Sequence, residues 1–156
     1  MENETKALIL SQISEVELVY KSKVKASERP KVNDSRDCYN LLLQLWDHGK
    51  INLVEQFKML FLNRANRVVG FLEVSSGGIT GTVADSRIIL VGALKVLACS
   101  IVLCHNHPSA NLSPSKADED LTKKIKHACS FHDIRLLDHI ILSEEGYYSF
   151  ADEGLI

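Results

Sequence analysis

Residues 100–120 read SIVLCHNHPSANLSPSKADED, and they combine an apolar run with several groups that bind metals or transfer protons. Residues 100–104 have the length and composition of a buried β-strand. His105 and His107 therefore lie at or just past the end of that strand. Because residues two apart on an extended backbone point to the same side, both imidazoles can bind one metal ion, while Asn106 points to the other side.

Asp118 supplies a carboxylate a short distance after the two histidines in sequence. Pro108 stops the strand, and Ser115 then starts a helix as its N-cap, with Asp118 one turn further on. This first helical turn can place the Asp118 carboxylate close to the two histidines. Ser115-x-x-Asp118 is equally a capping box with Asp in place of the usual Glu or Gln, and such boxes open many helices that have no chemistry. The residues alone leave both interpretations open.

Two imidazole nitrogens and one carboxylate oxygen would leave a tetrahedral zinc ion one open position for water. Open sites of this kind are catalytic rather than structural. No CxxC pair or fourth nearby ligand closes the site. The donor set suits zinc best, although manganese, iron or nickel would also bind to it.

Length and composition indicate one ordinary globular domain. The 156 residues are enough to bury one sizeable core. Eighteen basic against twenty acidic residues give a net charge of -2, which is not the charge of a nucleic-acid binder. No apolar stretch approaches the roughly 18 residues that span a bilayer, so no membrane partner is expected. Four cysteines without metal-binding spacing, and a start without a signal segment, predict reduced thiols and a cytoplasmic protein.

Hydrophobic periodicity predicts strands and helices through most of the chain. The expected strands are 56–62, 67–74, 100–104, 134–142 and 147–150, and the expected helices are 35–47, 85–97 and 115–130. Strands in hairpins together with helices that pack on them predict an α/β domain with a mixed sheet.

The amino-terminal part has a different pattern. Apolar residues at every second position predict an edge strand within residues 13–25, and a charged linker follows. We therefore expect residues 1–34 to form a strand and linker that pack on a single domain at 35–156. An exposed edge strand could pair with a substrate or with a second copy of the chain, so the sequence leaves the formation of a homodimer as an open question.

Other polar groups stand in apolar surroundings. Glu55 lies at the mouth of an apolar strand, where a carboxylate either takes part in chemistry or marks where solvent begins, and the residues alone favour the second. Asp138 and His139 interrupt another apolar strand, and we interpret the pair as a structural hydrogen bond. Cys104 precedes His105 and should face the opposite side of the strand, in the core rather than at a metal.

The HxH…SxxD signature of JAB/MPN (JAMM-type) metalloproteases is matched, residue for residue, by His105, His107, Ser115 and Asp118. The wider stretches HNHPSANLSPSKAD and LLDHIILSEEGYYSF resemble the RadC branch of that superfamily. This resemblance covers about residues 35 to 156. Two features depart from the usual RadC pattern. Ala110 stands where glycine commonly follows HNHPS, and the sequence shows no counterpart of the amino-terminal helix-hairpin-helix segment of longer members.

The resemblance implies a single JAB/MPN-like, cytidine-deaminase-like α/β domain, with a curved mixed sheet flanked by helices and a metal at one end of the sheet. It implies one zinc ion per chain, held by His105, His107 and Asp118. The general base of such proteins is a glutamate at the start of a strand well upstream of the HxH. Glu55 matches that position, and Glu73 in the partner strand is its rival.

The implied function is a zinc-dependent metallopeptidase that hydrolyses an amide or isopeptide bond of a peptide or protein substrate, with Ser115 as a hydrogen-bond donor to the oxyanion. Two other classes of function are alternatives to a peptidase. RadC members carry a historical DNA-repair label, which suggests a non-catalytic DNA repair or recombination accessory, but the acidic composition gives DNA no support as a partner. A phosphodiesterase would often hold two metals about 3.5 to 4 Å apart, and the motif supplies ligands for one.

Overall fold

The computed structural model describes residues 5, 7, 9, 11–14, 17, 19, 21–78 and 82–156. After a short 3₁₀ helix at Ala26–Glu28, the elements are α1 (Ser35–Leu45), β1 (Gln56–Leu62), β2 (Val68–Ser76), α2 (Ser86–Lys95), β3 (Ser100–Asn106), α3 (Lys116–Ser130), β4 (Arg135–Ser143) and β5 (Gly146–Ser149). Each helix and strand expected between residues 35 and 156 is present, with its ends shifted by at most a few residues. α1, for example, ends before residue 47 because Trp46 is extended, with φ −82° and ψ 141°. Among the described residues, no helix has the length and apolar character needed to cross a membrane.

The described strands form one mixed sheet in the order β2-β1-β3-β4-β5. β1 pairs antiparallel with both β2 and β3, β3 pairs parallel with β4, and β4 pairs antiparallel with β5. The parallel pair needs a crossover connection, which α3 provides. β3 is the centre of the sheet, and all seven of its residues are buried. The expected α/β domain with a mixed sheet is confirmed.

The two faces of the sheet carry separate cores, because successive strand residues point to opposite faces. α1 covers one face, whose core includes Leu42, Leu60, Val102, Ile140 and Leu142. α2 and α3 cover the other face, whose core includes Phe57, Ile89, Leu103, Ile125 and Cys129. Cys104 lies in the first core, as expected, where its thiol donates to the carbonyl oxygen of Lys58 at 3.2 Å. His105, the next residue, points to the face that α2 and α3 cover.

Residues 30–32 pair with the start of β2 and the turn before it through two backbone hydrogen bonds. The edge strand expected within residues 13–25 depends on three residues that lie outside the described part of the chain, Val16, Leu18 and Tyr20. Residues 21–25 are described and have no strand structure. The arrangement expected for residues 1–34 therefore stays a prediction.

Asn106, the last residue of β3, joins the end of this strand to the segment that leads into β1. Its side chain is fully buried. The Nδ2 amide donates to the carbonyl oxygens of Ile51 at 2.7 Å and Val54 at 2.8 Å, and Oδ1 accepts the backbone N–H of Gln56 at 2.7 Å. One side chain thus satisfies three backbone groups and fixes the start of β1 beside the end of β3.

The substitution Asn106→Leu removes these three hydrogen bonds and leaves buried backbone groups unpaired. We expect the free energy of unfolding to fall by more than about 2 kcal/mol, as measured by urea denaturation in the presence of a chelator. Asn52→Leu is the matched control, because Asn52 is exposed and donates only to the exposed side chain of Glu144 at 2.8 Å. Its effect should stay within about 0.5 kcal/mol. Equal effects of the two substitutions would contradict the role given to Asn106.

Candidate metal centre

Three side chains with metal-binding atoms meet at the end of β3. They are His105, His107 and Asp118, and their candidate donor atoms all lie within 4.8 Å of one another. His105 Nε2 is 3.0 Å from His107 Nε2 and 3.3 Å from Asp118 Oδ1. In a tetrahedral zinc site with bonds of roughly 2.0 Å, neighbouring ligand atoms lie roughly 3.3 Å apart. The cluster therefore has the spacing and the donor chemistry to hold one metal ion.

Strand alternation and packing set the direction of His105. The side chain is almost fully buried, and its ring stacks on Phe57, its register partner in β1. The ring centroids are 5.7 Å apart and the planes differ by 7°. Nδ1 of His105 lies 2.9 Å from Nε2 of His139. This leaves His105 Nε2 as the atom that faces the other two members of the cluster.

His107 is held by the loop that follows β3. Its backbone N–H donates to the carbonyl oxygen of Leu142 at 3.0 Å, which keeps it beside β4. The Nδ1–H of its ring donates to the carbonyl oxygen of Asn111. Because a carbonyl can only accept, Nδ1 carries the proton and Nε2 of the neutral ring keeps its lone pair for a metal.

Asp118 divides its two carboxylate oxygens between a helix cap and the cluster. Oδ2 accepts both the backbone N–H and the hydroxyl of Ser115, each at 2.7 Å. The N–H of Asp118 in turn donates to Ser115 Oγ at 3.2 Å, which completes a capping box at the start of α3. Oδ1 faces His105. Capping and metal binding therefore do not compete at Asp118, because the cap uses one oxygen and leaves the other free for a metal.

The environment keeps Asp118 ionised. Burial alone would raise the pKa of this carboxyl. When His105 is protonated, its Nε2–H bond and its charge, together with the hydrogen bonds from Ser115, outweigh burial and hold the pKa of Asp118 well below its ordinary value. The carboxylate that a metal requires is therefore present throughout the neutral pH range.

A set of contacts behind His105 was not foreseen from the sequence. His139 is fully buried, and its Nδ1 lies 2.7 Å from the hydroxyl oxygen of Thr122. Burial lowers the pKa of His139 well below its ordinary value, and the nearby charge of His105 acts in the same direction. The Asp138-His139 pair does share a structural hydrogen bond, from the backbone N–H of His139 to Asp138 Oδ1 at 2.7 Å. The ring of His139, however, contacts His105 and Thr122.

The two candidate bases differ in their surroundings. Glu55 is half-buried directly before β1 and is not a member of the three-residue cluster. Glu73 is the register partner of Lys58, and its Oε2 lies 3.6 Å from Lys58 Nζ. Lys58 follows Phe57 in β1, so that Lys58 and Glu73 point to the face of the sheet opposite to His105.

Ser115→Ala removes the hydroxyl of the cap but keeps the backbone N–H that bonds Asp118. We expect the free energy of unfolding to fall by about 1 kcal/mol, while the zinc content of the purified protein stays unchanged because Ser115 is outside the donor cluster. Ser113→Ala, at an exposed serine of the same loop, is the matched control and should cost less than about 0.5 kcal/mol. Loss of zinc from Ser115→Ala would show that the serine belongs to the metal site.

Ala110 has a φ of 59°, in the left-handed region of backbone conformation that favours glycine. Ala110→Gly should raise the free energy of unfolding by about 0.5–1 kcal/mol, because the strain relieved in the folded chain exceeds the added entropy of the unfolded chain. The control Ala117→Gly, in the first turn of α3, should lower it by up to about 1 kcal/mol. Chemical denaturation that shows the same sign for both variants would contradict this interpretation.

Residues 32–155 of this chain match the RadC-like JAB domain family. Similar proteins include a UPF0758 protein of Flavobacterium johnsoniae, which is 42% identical over 125 residues that make up 80% of this chain and 53% of that protein. Another, of Porphyromonas gingivalis, is 38% identical over 130 residues, 82% of this chain and 56% of that protein. The chain spans about half the length of these relatives. The match to the family and these identities show that the chain belongs to the RadC-like JAB domain family.

Proposed function

We propose that this domain is a zinc-dependent metallopeptidase of the JAMM type, which hydrolyses an amide or isopeptide bond of a peptide or protein substrate. The observation that carries the proposal is the convergence of His105, His107 and Asp118 at one end of the sheet. Membership of the RadC-like JAB domain family supports it, because the JAB superfamily includes metalloproteases.

One zinc ion fits this donor set. Two imidazoles and a carboxylate fill three tetrahedral positions and leave one open, which is the arrangement of catalytic zinc sites. When bound, zinc would supply Lewis acidity at the substrate carbonyl and would make the attacking water more acidic. The protein has to supply the remaining functions, which are proton transfer and stabilisation of the developing oxyanion.

Glu55 is the proposed general base. Phe57 of β1 is the register partner of His105. The same register, extended by two residues beyond its last pair, would set Glu55 opposite His107, on the face to which both imidazoles point. A carboxylate there can take a proton from the attacking water and later give it to the leaving amine. Glu73 is the poorer candidate, because its carboxylate belongs to the other face.

Ser115 is the proposed donor to the oxyanion. Its hydroxyl is exposed beside the cluster and donates to Asp118 Oδ2 at 2.7 Å. The backbone N–H of Ser115 bonds the same oxygen at 2.7 Å. The hydroxyl can therefore turn toward a substrate while Oδ2 keeps one donor. A single donor of this kind is worth roughly 3–4 kcal/mol in the transition state.

Charge around the cluster favours a neutral carbonyl substrate over a polyanion. Asp118 and Glu119 lie in the first turn of α3, and Asp120 follows them. Lys116, the cation nearest in sequence, is already paired with Asp120 at 2.7 Å. These carboxylates would repel a phosphate backbone. Hydrolysis of an amide is therefore preferred to hydrolysis of a phosphodiester or to DNA binding.

The test compares Glu55→Gln with Glu73→Gln in zinc-loaded protein, with quenched-fluorescence peptides and lysine isopeptide conjugates as substrates. Glutamine keeps the size of the side chain but cannot accept the proton, so kcat of Glu55→Gln should fall by about 10²- to 10⁴-fold. Its zinc content by elemental analysis should stay at about one ion per chain. Glu73→Gln, the matched control, should keep turnover within a few-fold.

The double variant His105→Ala/His107→Ala should bind no zinc and have no turnover. Unchanged turnover of Glu55→Gln would transfer the role of base to Glu73 or end the peptidase proposal. Zinc-loaded wild type that cleaves none of the substrates, yet binds duplex DNA with a steep dependence on salt, would favour the non-catalytic DNA repair accessory instead.

A further inference from the structure

A closed set of contacts joins two of the candidate ligands behind the metal cluster. His105 Nδ1 lies 2.9 Å from His139 Nε2, and His139 Nδ1 lies 2.7 Å from the Thr122 hydroxyl. That hydroxyl lies 2.6 Å from the backbone carbonyl oxygen of Asp118. Because Asp118 Oδ1 faces His105 Nε2, the contacts return to the residue at which they began. We call these four residues the hydrogen-bond ring.

One atom fixes the direction of the three hydrogen bonds that join His105, His139, Thr122 and Asp118. The fourth contact, between Asp118 Oδ1 and His105 Nε2, holds no proton when His105 is neutral. The carbonyl oxygen of Asp118 can only accept, so Thr122 donates its single hydroxyl proton there. Toward His139 the Thr122 oxygen is then an acceptor, and His139 carries its proton on Nδ1. Nε2 of the neutral His139 ring therefore accepts the Nδ1 proton of His105. A neutral His105 is left with its lone pair on Nε2, which is the atom that faces the cluster.

Packing holds the His139 ring in this orientation. The ring stacks on Phe150, with centroids 4.8 Å apart and planes that differ by 14°. Phe57 covers it from another direction, at a centroid distance of 5.5 Å. Both His139 and Thr122 are 1% exposed or less. Neither residue can therefore exchange its partner for bulk water, and a charged imidazolium would be costly in these apolar surroundings.

We propose that His139 and Thr122 are positioning residues that select the tautomer of His105 and aim its ring at the metal. The inference rests on the metal site of the proposed function, although neither residue is a member of the donor cluster. Without an acceptor at Thr122, the proton of His139 moves to Nε2, and the Nδ1 proton of His105 loses its acceptor. His105 then carries its proton on Nε2 and is a poor ligand. Loss of such a partner weakens metal binding by about 10- to 100-fold.

The experiment compares Thr122→Val with Thr122→Ser in the full chain. Valine keeps the shape of threonine and removes the hydroxyl, whereas serine keeps the hydroxyl and serves as the matched control. We expect the zinc Kd, measured by competition with a chromophoric chelator, to rise by about 10- to 100-fold for Thr122→Val and to stay within about threefold for Thr122→Ser. Thermal unfolding of the metal-free proteins shows whether each variant is folded.

A second measurement reads the tautomer directly and needs no metal. In the ¹⁵N NMR spectrum of the metal-free wild type, His139 should carry its proton on Nδ1, and in Thr122→Val the proton should shift to Nε2. A wild-type zinc Kd for folded Thr122→Val would overturn the proposal. So would a wild-type His139 protonated on Nε2, whether or not the variants fold. A wild type that binds no zinc ends the proposed metal site, while the tautomer measurement separately decides the proton order of the hydrogen-bond ring.

Discussion

The alternation of side chains along β3 is the constraint on which the rest of the structure depends. Asn106 points to one face of the sheet, and His105 and His107 point to the other. A slip of one residue would carry all of them to the wrong faces. It would break the three hydrogen bonds that Asn106 makes to the segment before β1, and it would bury two imidazoles in the apolar core under α1. The register of β3 therefore fixes the core and the candidate site together.

Regular elements, rather than a flexible loop, carry most of the donor atoms. His105 belongs to the central strand, and Asp118 lies in the first turn of α3, where the positive end of the helix dipole also favours a carboxylate. His107 is the exception, and its ring is fixed by the Asn111 carbonyl oxygen. The donor atoms are thus held near one another without a metal, which reduces the entropy that metal binding has to overcome.

The parts that sequence reasoning predicted well are those with local patterns. The continuous apolar run of β1 and the HxH and SxxD spacings each lie within one strand or one helical turn. The hydrogen-bond ring is different, because it joins residues 105 and 139, which are 34 positions apart. Their contact depends on the parallel pairing of β3 with β4 and on the packing of α3 over both strands, which no local periodicity reveals. In the sequence, Thr122 accordingly has no feature that separates it from other helical residues, and the Asp138-His139 pair gives no indication that the ring of His139 contacts His105. Backbone strain at Ala110 was hidden for a related reason, since a loop's φ angles follow from how its two ends are held.

The divided carboxylate of Asp118 has an evolutionary consequence. An asparagine in its place would keep one oxygen for the capping box but would lose the ionised oxygen that faces His105. A single nucleotide change can thus remove the candidate metal centre from a lineage and leave its architecture intact, and the reverse change can restore it. Descendants of one ancestor with and without this centre would then be almost identical in overall shape. Within such a lineage, the identity of residue 118 would be more informative about the metal centre than the fold itself.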